Sequence, residues 1–241
     1  MSLMRKIFGI KEPDFNILDE EDKKELRYGI ITYSRLFKGG KIYTNAYWDF
    51  FAPLPSLYPS PRVLMIGLGG GTILFQFKRL YGNKVSLSAV EIDQRVAELY
   101  RKFMADSEID AEIIIADGAK YLETHRGYDI IILDAYIADY IPKPFLTDKF
   151  VENAYAALNK EGVLAINYAM SIKDMLYFNS YMGKLEKRFN VYRVSSSILS
   201  GNTIIVCSKG IKKAEMIDRI KRNFDTKFGG EHVLRAYENM Y

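Results

Sequence analysis

The chain has 241 residues, of which 49% are hydrophobic and 27% are charged, and its net charge is +4. These values indicate one large globular domain, or one domain with a small additional unit, with a sizeable core. The positive charge is spread widely and is too weak to indicate nucleic acid as a partner. No apolar run approaches the length of a membrane span, and the N-terminus lacks the pattern of a secretion signal. Because Cys207 is the only cysteine, we expect a protein of the reducing cytoplasm, without a membrane partner.

The first 57 residues predict a small N-terminal β-hairpin segment, ahead of a main domain over residues 58–241. Residues 1–24 are charged and contain few apolar positions, so we predict no element there. The hairpin consists of a strand at 28–37, a turn at 38–41 and a returning strand at 42–44. A short helix is predicted over 46–52, before the prolines at 53 and 55.

From Arg62 onward, apolar strand patterns alternate with helical patterns. Strands are predicted at 62–66, 85–90, 112–115, 129–134, 162–168, 190–194 and 203–208. Helices are predicted at 72–81, 93–105, 118–124, 147–158, 171–188 and 211–223. This alternation predicts an α/β fold with a mostly parallel sheet and helices on both faces. The last two strands are joined by too short a connection for a parallel crossover, so they are expected to form an antiparallel hairpin.

A glycine-rich turn follows the first strand of this domain and contains Gly67, Gly69 and Gly71. Such a turn lets a phosphate or sugar approach the backbone, and ligands of open α/β sheets bind beyond the carboxyl ends of the strands. The pattern is also compatible with an ordinary turn.

Acidic residues follow the next two strands. Glu91 lies 20 residues after Gly71, the spacing at which an acid binds ribose hydroxyls. The alternative for Glu91 is a helix N-cap, a role that suits Asp93 better. Asp117 with Gly118 could accept a hydrogen bond from an adenine amino group, although an N-cap is the more common role for such an acid.

Asp134 follows a run of apolar residues at the end of the fourth strand, where no helix is available for it to cap. An acid there can bind an ammonium or accept its proton, which makes an amine nucleophilic. Asp139 is either a second carboxylate of the same pocket or an ordinary loop residue. Tyr136 could line an acceptor pocket, and Trp48 either stacks on an acceptor or wedges between the two units. The two histidines have no partners at metal-ligand spacing, so we expect no metal.

These strand ends, taken in series, resemble those of the polyamine aminopropyltransferases, the spermidine synthase family. The resemblance extends from about residue 27 to the end of the chain. It is carried by residues 27–28, the segment at Tyr47, and residues 63–67, 91–93, 117–118, 128–134 and 200–209. It implies a Rossmann-like, class I methyltransferase-type sheet with a small N-terminal β-hairpin domain, and a homodimer.

The resemblance also implies roles for individual residues. In that family, the acids matching Glu91 and Asp117 hold the ribose and adenine of decarboxylated S-adenosylmethionine, and the acid matching Asp134 accepts a proton from the attacking amine. The expected catalytic residues are therefore Asp134 and Asp139. The expected donor-binding residues are Gly67, Gly69, Gly71, Glu91, Ile92, Asp117 and Gly118. The expected acceptor-binding residues are Tyr47, Trp48 and Tyr136.

The chain departs from the family pattern at four positions that grip the aminopropyl group or the polyamine. They are occupied by Gly29, Trp48, Gly70 and Ile137, and Asp139 lies two residues later than its family counterpart. Loop amides without the loop aspartate would suit a carboxylate, which S-adenosylmethionine carries. Related members do carry an acid at the later position, followed by Ile-Pro.

The sequence is therefore compatible with three alternative functions. The first is aminopropyl transfer from decarboxylated S-adenosylmethionine to a small-molecule amine. The second is methyl transfer from S-adenosylmethionine within the same fold. The third is non-catalytic nucleoside binding by a spermidine synthase-like protein.

Overall fold

Two β-sheets of different size organise the chain. The computed structural model describes residues 15–107, 109–136, 140–169, 172–195 and 202–241. A three-stranded antiparallel sheet contains β1 (Phe15–Asp19), β2 (Lys23–Tyr28) and β3 (Ile31–Phe37). A seven-stranded sheet contains β4 (Arg62–Ile66), β5 (Ser86–Glu91), β6 (Glu112–Ile115), β7 (Tyr128–Leu133), β8 (Leu158–Ala169), β9 (Asn190–Ser195) and β10 (Asn202–Ser208).

The N-terminal hairpin differs from the sequence prediction. Its turn lies between Tyr28 and Ile31, which pair directly, and it contains Gly29 with a φ of 60°. A glycine with positive φ suits a two-residue hairpin turn, and this turn exposes Ile30 almost completely. The predicted strand at 28–37 is therefore two strands, and the predicted turn at 38–41 does not join a strand pair. Residues 42–44 form no strand, and their side chains are buried.

The strand β1 is also absent from the sequence prediction, and β2 was recognised only at its last residue. The sequence of β2, with Lys23, Lys24 and Glu25, gives no apolar alternation. Glu25 is nevertheless 0% exposed, because Arg35 of β3 and Arg27 of β2 both donate to its carboxylate. A charged side chain, paired with two arginines, thus occupies a fully buried strand position that is usually apolar.

Two 3-10 helices, Tyr47–Phe51 and Leu54–Leu57, replace the short helix predicted over 46–52. The buried carboxylate of Asp49 holds this segment. It accepts hydrogen bonds from the backbone amides of Thr44 and Asn45 and from the Gln76 side chain at 2.6 Å. It also lies 3.5 Å from His232 Nε2. One carboxylate therefore connects the N-terminal segment to two separate helices.

The seven-stranded sheet confirms the predicted fold class. Its order is β6-β5-β4-β7-β8-β10-β9, with β4 to β8 parallel and β10 antiparallel to both of its neighbours. The helices are α1 (Thr72–Tyr81), α2 (Gln94–Phe103), α3 (Gly118–Thr124), α4 (Asp148–Ala157), α5 (Ile172–Glu186), α6 (Lys213–Asn223) and α7 (Glu231–Glu238). The helix α7 was not predicted, and β8 is longer than predicted. None of the helices in the described ranges is long and apolar enough to cross a membrane.

The sheet order creates a switch point between β4 and β7. From β4 the chain continues outward through β5 and β6, and it then returns to the other side of β4 as β7. The carboxyl ends of these four strands meet at one edge, where the loops separate and leave room for a ligand. Apolar side chains of both predicted units, including Leu36 and Phe103, share one hydrophobic cluster. The division of the chain at residues 57 and 58 stays a prediction.

Candidate active site

A cavity of about 1290 Å³ lies at this edge of the large sheet, and β3 of the small sheet forms part of its wall. Most of the predicted site residues line it: Tyr47, Trp48, Gly67, Gly69, Glu91, Ile92, Asp117, Gly118, Asp134 and Tyr136. Gly71 is instead the N-cap of α1 and packs against the Tyr100 ring. Asp139 and Ile137 lie outside the described residues. Residues that the sequence assigned to the donor and residues that it assigned to the acceptor thus line the same cavity.

The glycine loop is packed too closely for larger residues. Gly67 has a φ of 90°, and a Cβ atom there would overlap the backbone of Asp134. This close approach lets Asp134 N donate to Ile66 O at 2.9 Å. The first glycine therefore brings the ends of β4 and β7 together, which places the acid beside the loop.

Two of the loop amides that were expected to suit a carboxylate already have protein partners. Gly70 N donates to Ser34 Oγ at 2.7 Å, and Leu68 N donates to Glu91 Oε2 at 3.0 Å. The physical reason is that a buried amide needs a partner, and side chains from β3 and β5 supply it. These two amides are not available to a ligand carboxylate.

Glu91 does not cap a helix. Its Oε2 accepts from Leu68 N and its Oε1 accepts from Asp93 N at 3.0 Å, and the side chain borders the cavity. Asp93 is the N-cap of α2 and accepts from Arg95 N at 2.9 Å, as the sequence indicated. Each carboxylate oxygen can accept two hydrogen bonds, so Glu91 retains capacity for ligand hydroxyls. Its contact with a ribose stays a prediction.

Asp117 is the N-cap of α3. Its Oδ1 accepts from Ala119 N at 2.9 Å and from Lys120 N at 3.3 Å. The following residue, Gly118, is buried against Ile66, and an added Cβ would overlap that side chain. Asp117 also borders the cavity through the same turn. The capping role is confirmed, and a contact with adenine stays a prediction.

Asp134 has the most unusual environment of the predicted acids. Asn167 Nδ2 donates to its Oδ1 at 2.8 Å, and Tyr47 Oη lies 3.3 and 3.2 Å from its two oxygens. Burial raises the pKa of Asp134 to about 6, although these hydrogen bonds act in the opposite direction. Burial and the nearby Asp134 raise the pKa of Tyr47 well above its usual value, so Tyr47 is a neutral donor.

The side-chain amide of Asn202 fixes the orientation of the Asn167 amide. Asn202 Nδ2 donates to Asn167 Oδ1 at 2.8 Å, so the remaining end of the Asn167 amide faces Asp134 as a donor. Asn202 begins β10 and is paired in register with Ala169 at the end of β8. Because β10 is antiparallel to β8, its first residue reaches the edge at which the parallel strands end.

Two predicted acceptor residues are held by the protein itself. The Tyr136 hydroxyl donates to Asn167 O at 2.6 Å and accepts from Ala169 N at 2.9 Å. Trp48 is buried in the cluster that joins the two sheets, and its ring centroid lies 4.7 Å from that of Tyr47. This packing agrees with the wedge interpretation of Trp48. Stacking of either ring on an acceptor stays a prediction.

Sequence reasoning assigned no role in the site to Ser34, Asn167 or Asn202. Asn167 carried the strongest usable signal, because it is a polar residue that interrupts the buried apolar run at the carboxyl end of β8, beside the strand that leads to Asp134. Ser34 had no comparable signal, since its partner Gly70 is 36 residues away, in the loop that follows a strand of the other sheet. Within the described ranges, no three His, Cys, Asp or Glu residues are grouped so that they could hold a metal ion.

Comparisons of the sequence with family models and with curated proteins point to the same family. The spermine/spermidine synthase domain matches residues 52–216, well over half of the chain. A probable polyamine aminopropyl transferase of Bifidobacterium longum is 32% identical over 129 residues, which are 53% of this chain and 28% of that protein. The polyamine aminopropyltransferase of Methanocaldococcus jannaschii is 35% identical over 127 residues, which are 49% of this chain and 43% of that protein. The chain thus spans less than half the length of these relatives.

A solved structure extends the similarity to the whole fold. The probable spermidine synthase from Corynebacterium glutamicum superposes with a TM-score of 0.72 at 18% identity, covering 93% of this chain and 90% of that one. Identity this low establishes the fold only. Because the domain match extends over most of the chain, including the glycine loop and the strand ends around it, the chain belongs to the spermine/spermidine synthase family.

Proposed function

We propose that this protein transfers an aminopropyl group from decarboxylated S-adenosylmethionine to a small-molecule amine. The observation that carries the proposal is the Asp134 carboxylate, which Asn167 and Tyr47 hold at the edge of the cavity with a pKa of about 6. The relatives named as polyamine aminopropyltransferases support the same reaction.

In this proposal, the adenosine of the donor lies along the glycine loop. Glu91 accepts hydrogen bonds from the ribose hydroxyls, and Asp117 and Gly118 lie against the adenine. This placement points the sulfonium and its aminopropyl chain towards Asp134, which borders the same cavity. Holding the donor and the amine in one cavity converts an encounter of two molecules into a reaction within a complex.

The acceptor nitrogen then attacks the carbon next to the sulfonium sulfur. A nitrogen–carbon bond forms while the carbon–sulfur bond breaks, and the sulfur leaves with the electron pair as neutral methylthioadenosine. Asp134 takes a proton from the nitrogen. An alkylamine has a pKa of about 10, so a carboxylate with a pKa near 6 is a better proton acceptor than an ordinary aspartate at about 4.

The neighbours of Asp134 have a defined role in this step. Asn167 and Tyr47 act only as hydrogen-bond donors to the carboxylate, so they keep it ionised and fix its orientation. Burial acts in the opposite direction and keeps the carboxylate basic. Because the two effects partly cancel, Asp134 is ionised in most molecules at neutral pH and is ready to accept a proton.

The test uses donor binding and turnover in parallel. Calorimetry measures the affinity for methylthioadenosine and for decarboxylated S-adenosylmethionine, and chromatography measures methylthioadenosine formed with a panel of mono-, di- and polyamines. Asp134→Asn should lower turnover by about 100-fold or more with nearly unchanged donor affinity. Asp129→Asn is a matched control, because Asp129 lies on the same strand at the opposite edge of the sheet and binds Arg62 N and Asn159.

Two results would contradict the proposal. Equal turnover in Asp134→Asn would remove the proton-acceptor role. Tighter binding of S-adenosylmethionine than of its decarboxylated form, together with methylated products, would favour methyl transfer.

Further expectations remain proposals of the same kind. We propose a homodimer in the cytoplasm that works without a metal ion and has a donor-binding domain beginning near residue 58. Light scattering at several protein concentrations tests the dimer, and turnover in the presence of a chelator tests the independence from metal.

A further inference from the structure

A strand of the small sheet lies directly over the glycine loop. Ser34 of β3 is 2% exposed, and its Oγ accepts from Gly70 N at 2.7 Å and donates to Tyr33 O at 2.6 Å. At the next residue, Arg35 N donates to Thr72 Oγ1 at 3.0 Å. The loop and the first residue of α1 are therefore bound to β3 by hydrogen bonds from two consecutive residues.

These contacts occupy most of the backbone amides between Gly67 and Gly71 that the loop could otherwise offer a ligand. Four of its amides already have protein partners: Gly67 N donates to Val90 O, Leu68 N to Glu91, Gly70 N to Ser34, and Gly71 N to Leu68 O. A carboxylate that entered this part of the cavity would lose water without gaining these donors. Burying a charge without such compensation is unfavourable.

Ser34 also controls the space beside the loop. A Cβ atom on Gly70 would lie 2.7 Å from Ser34 Cβ and 3.0 Å from Phe103 Cδ1. The serine lines the cavity, while Gly70 is buried behind it. At this point the cavity is therefore lined by the Ser34 side chain of β3, which covers the Gly70 amide.

We propose that Ser34 is a specificity-determining residue that makes the site select adenosyl donors without a carboxylate. The inference rests on the proposed function, since it concerns the tail of the same donor. By accepting from Gly70 N, Ser34 removes the loop donor that lies behind it, and the decarboxylated tail needs no such donor. Ser34 acts through the loop and is a positioning residue.

The experiment compares two ligands that differ only in the carboxylate, S-adenosylhomocysteine and its decarboxylated form. The ratio of their dissociation constants is measured by calorimetry for the wild-type protein, Ser34→Gly and Ser34→Ala. Glycine frees the amide and opens the space, whereas alanine frees the amide and keeps the Cβ atom. Methylthioadenosine serves as a common reference, because it contains the adenosine but neither charged group.

The wild-type protein should bind the decarboxylated ligand more tightly. In Ser34→Gly, the ratio should move towards the carboxylate-bearing ligand by about tenfold, the factor that about 1.4 kcal/mol represents at 25 °C. Ser34→Ala should move it in the same direction by less, and it carries the test if the glycine variant does not fold. Ser88→Ala is the matched control, because Ser88 is a buried strand serine whose hydroxyl donates to Val63 O. The control should leave the ratio unchanged.

The outcomes separate this inference from the proposed function. If the wild-type protein binds methylthioadenosine and the decarboxylated ligand but the folded Ser34 variants keep the wild-type ratio, the role of Ser34 is wrong and the proposed function stands. If the wild-type protein binds none of the three ligands, the proposed donor site is wrong, and the inference falls with it.

Discussion

Replacement of Asn167 by leucine tests whether the protonation of Asp134 is set by its neighbours. Leucine has a similar size and fills the same buried space, but it removes the hydrogen bond to Asp134 Oδ1 at 2.8 Å. Asn167 is only 2% exposed, so the leucine side chain occupies the position of the lost donor. Because the lost bond stabilises the charged form, its removal must raise the pKa of Asp134.

The size of the change follows from the strength of the bond. A hydrogen bond to a charged group contributes about 1.5–3 kcal/mol, and about 1.4 kcal/mol corresponds to a change of one in pKa. The pKa of Asp134 is about 6 in the wild-type protein, so it should rise to between about 7 and 8 in Asn167→Leu. At pH 7, the ionised fraction would fall from about nine tenths to half or less.

Carbon-13 NMR of labelled aspartate measures this pKa without knowledge of the acceptor. The Asp134 resonance is identified as the one that disappears in Asp134→Asn. Asn159→Leu is the control, since Asn159 donates to Asp129 Oδ1 at 2.7 Å and repeats the same pair of residue types at the opposite edge of the sheet. An Asp134 pKa that stays near 6 in Asn167→Leu, or one that changes equally in the control, would refute the reasoning.

Three further predictions concern single contacts. Tyr47→Phe should raise the pKa of Asp134 by less than Asn167→Leu does, because its bonds are longer at 3.2 and 3.3 Å; a larger rise in the same NMR titration would contradict this ranking. Gly118→Ala should lower the free energy of unfolding in urea by about 1–3 kcal/mol, because its Cβ would overlap the last side chain of β4; an unchanged unfolding midpoint would rule out this packing. The Asp49 carboxylate raises the pKa of His232, so the stability from this pair is fully present below about pH 6.5 and is lost as the pH rises through the higher folded value. Urea midpoints measured upward from pH 6 should show this loss in the wild-type protein and not in His232→Gln.

The large sheet could be predicted from the sequence because its strands are buried on both faces. The four apolar residues after Arg62 and those before Asp134 form runs that few other structures tolerate. The acids at the strand ends could be identified for the same reason, since they interrupt an apolar pattern at a defined point. Parallel strands then bring their ends to one edge, so position along the chain translates directly into position in the site.

The small sheet and the polar contacts could not be predicted in this way. The stability of β2 depends on Glu25 and two arginines, one of them on another strand, and a single strand pattern does not show that pairing. The partners of Gly70 and Asp134 lie 36 and 33 residues away. A hydrogen bond over such a distance leaves no periodicity, so the occupied loop amides and the amide that holds Asp134 were found only in three dimensions.

The strand order at one edge of the large sheet has a consequence for the newly synthesised chain. Because β10 lies between β8 and β9, the strand β9 emerges from the ribosome before the strand that it must pair with. Until residue 208 is available, β8 therefore presents an unpaired edge whose last seven residues are almost all buried in the folded protein. Such an edge can pair with another chain, so aggregation competes with folding during this interval. The same order means that Asn202 reaches Asn167 only after β10 has inserted, which makes the support of Asp134 a late event in folding.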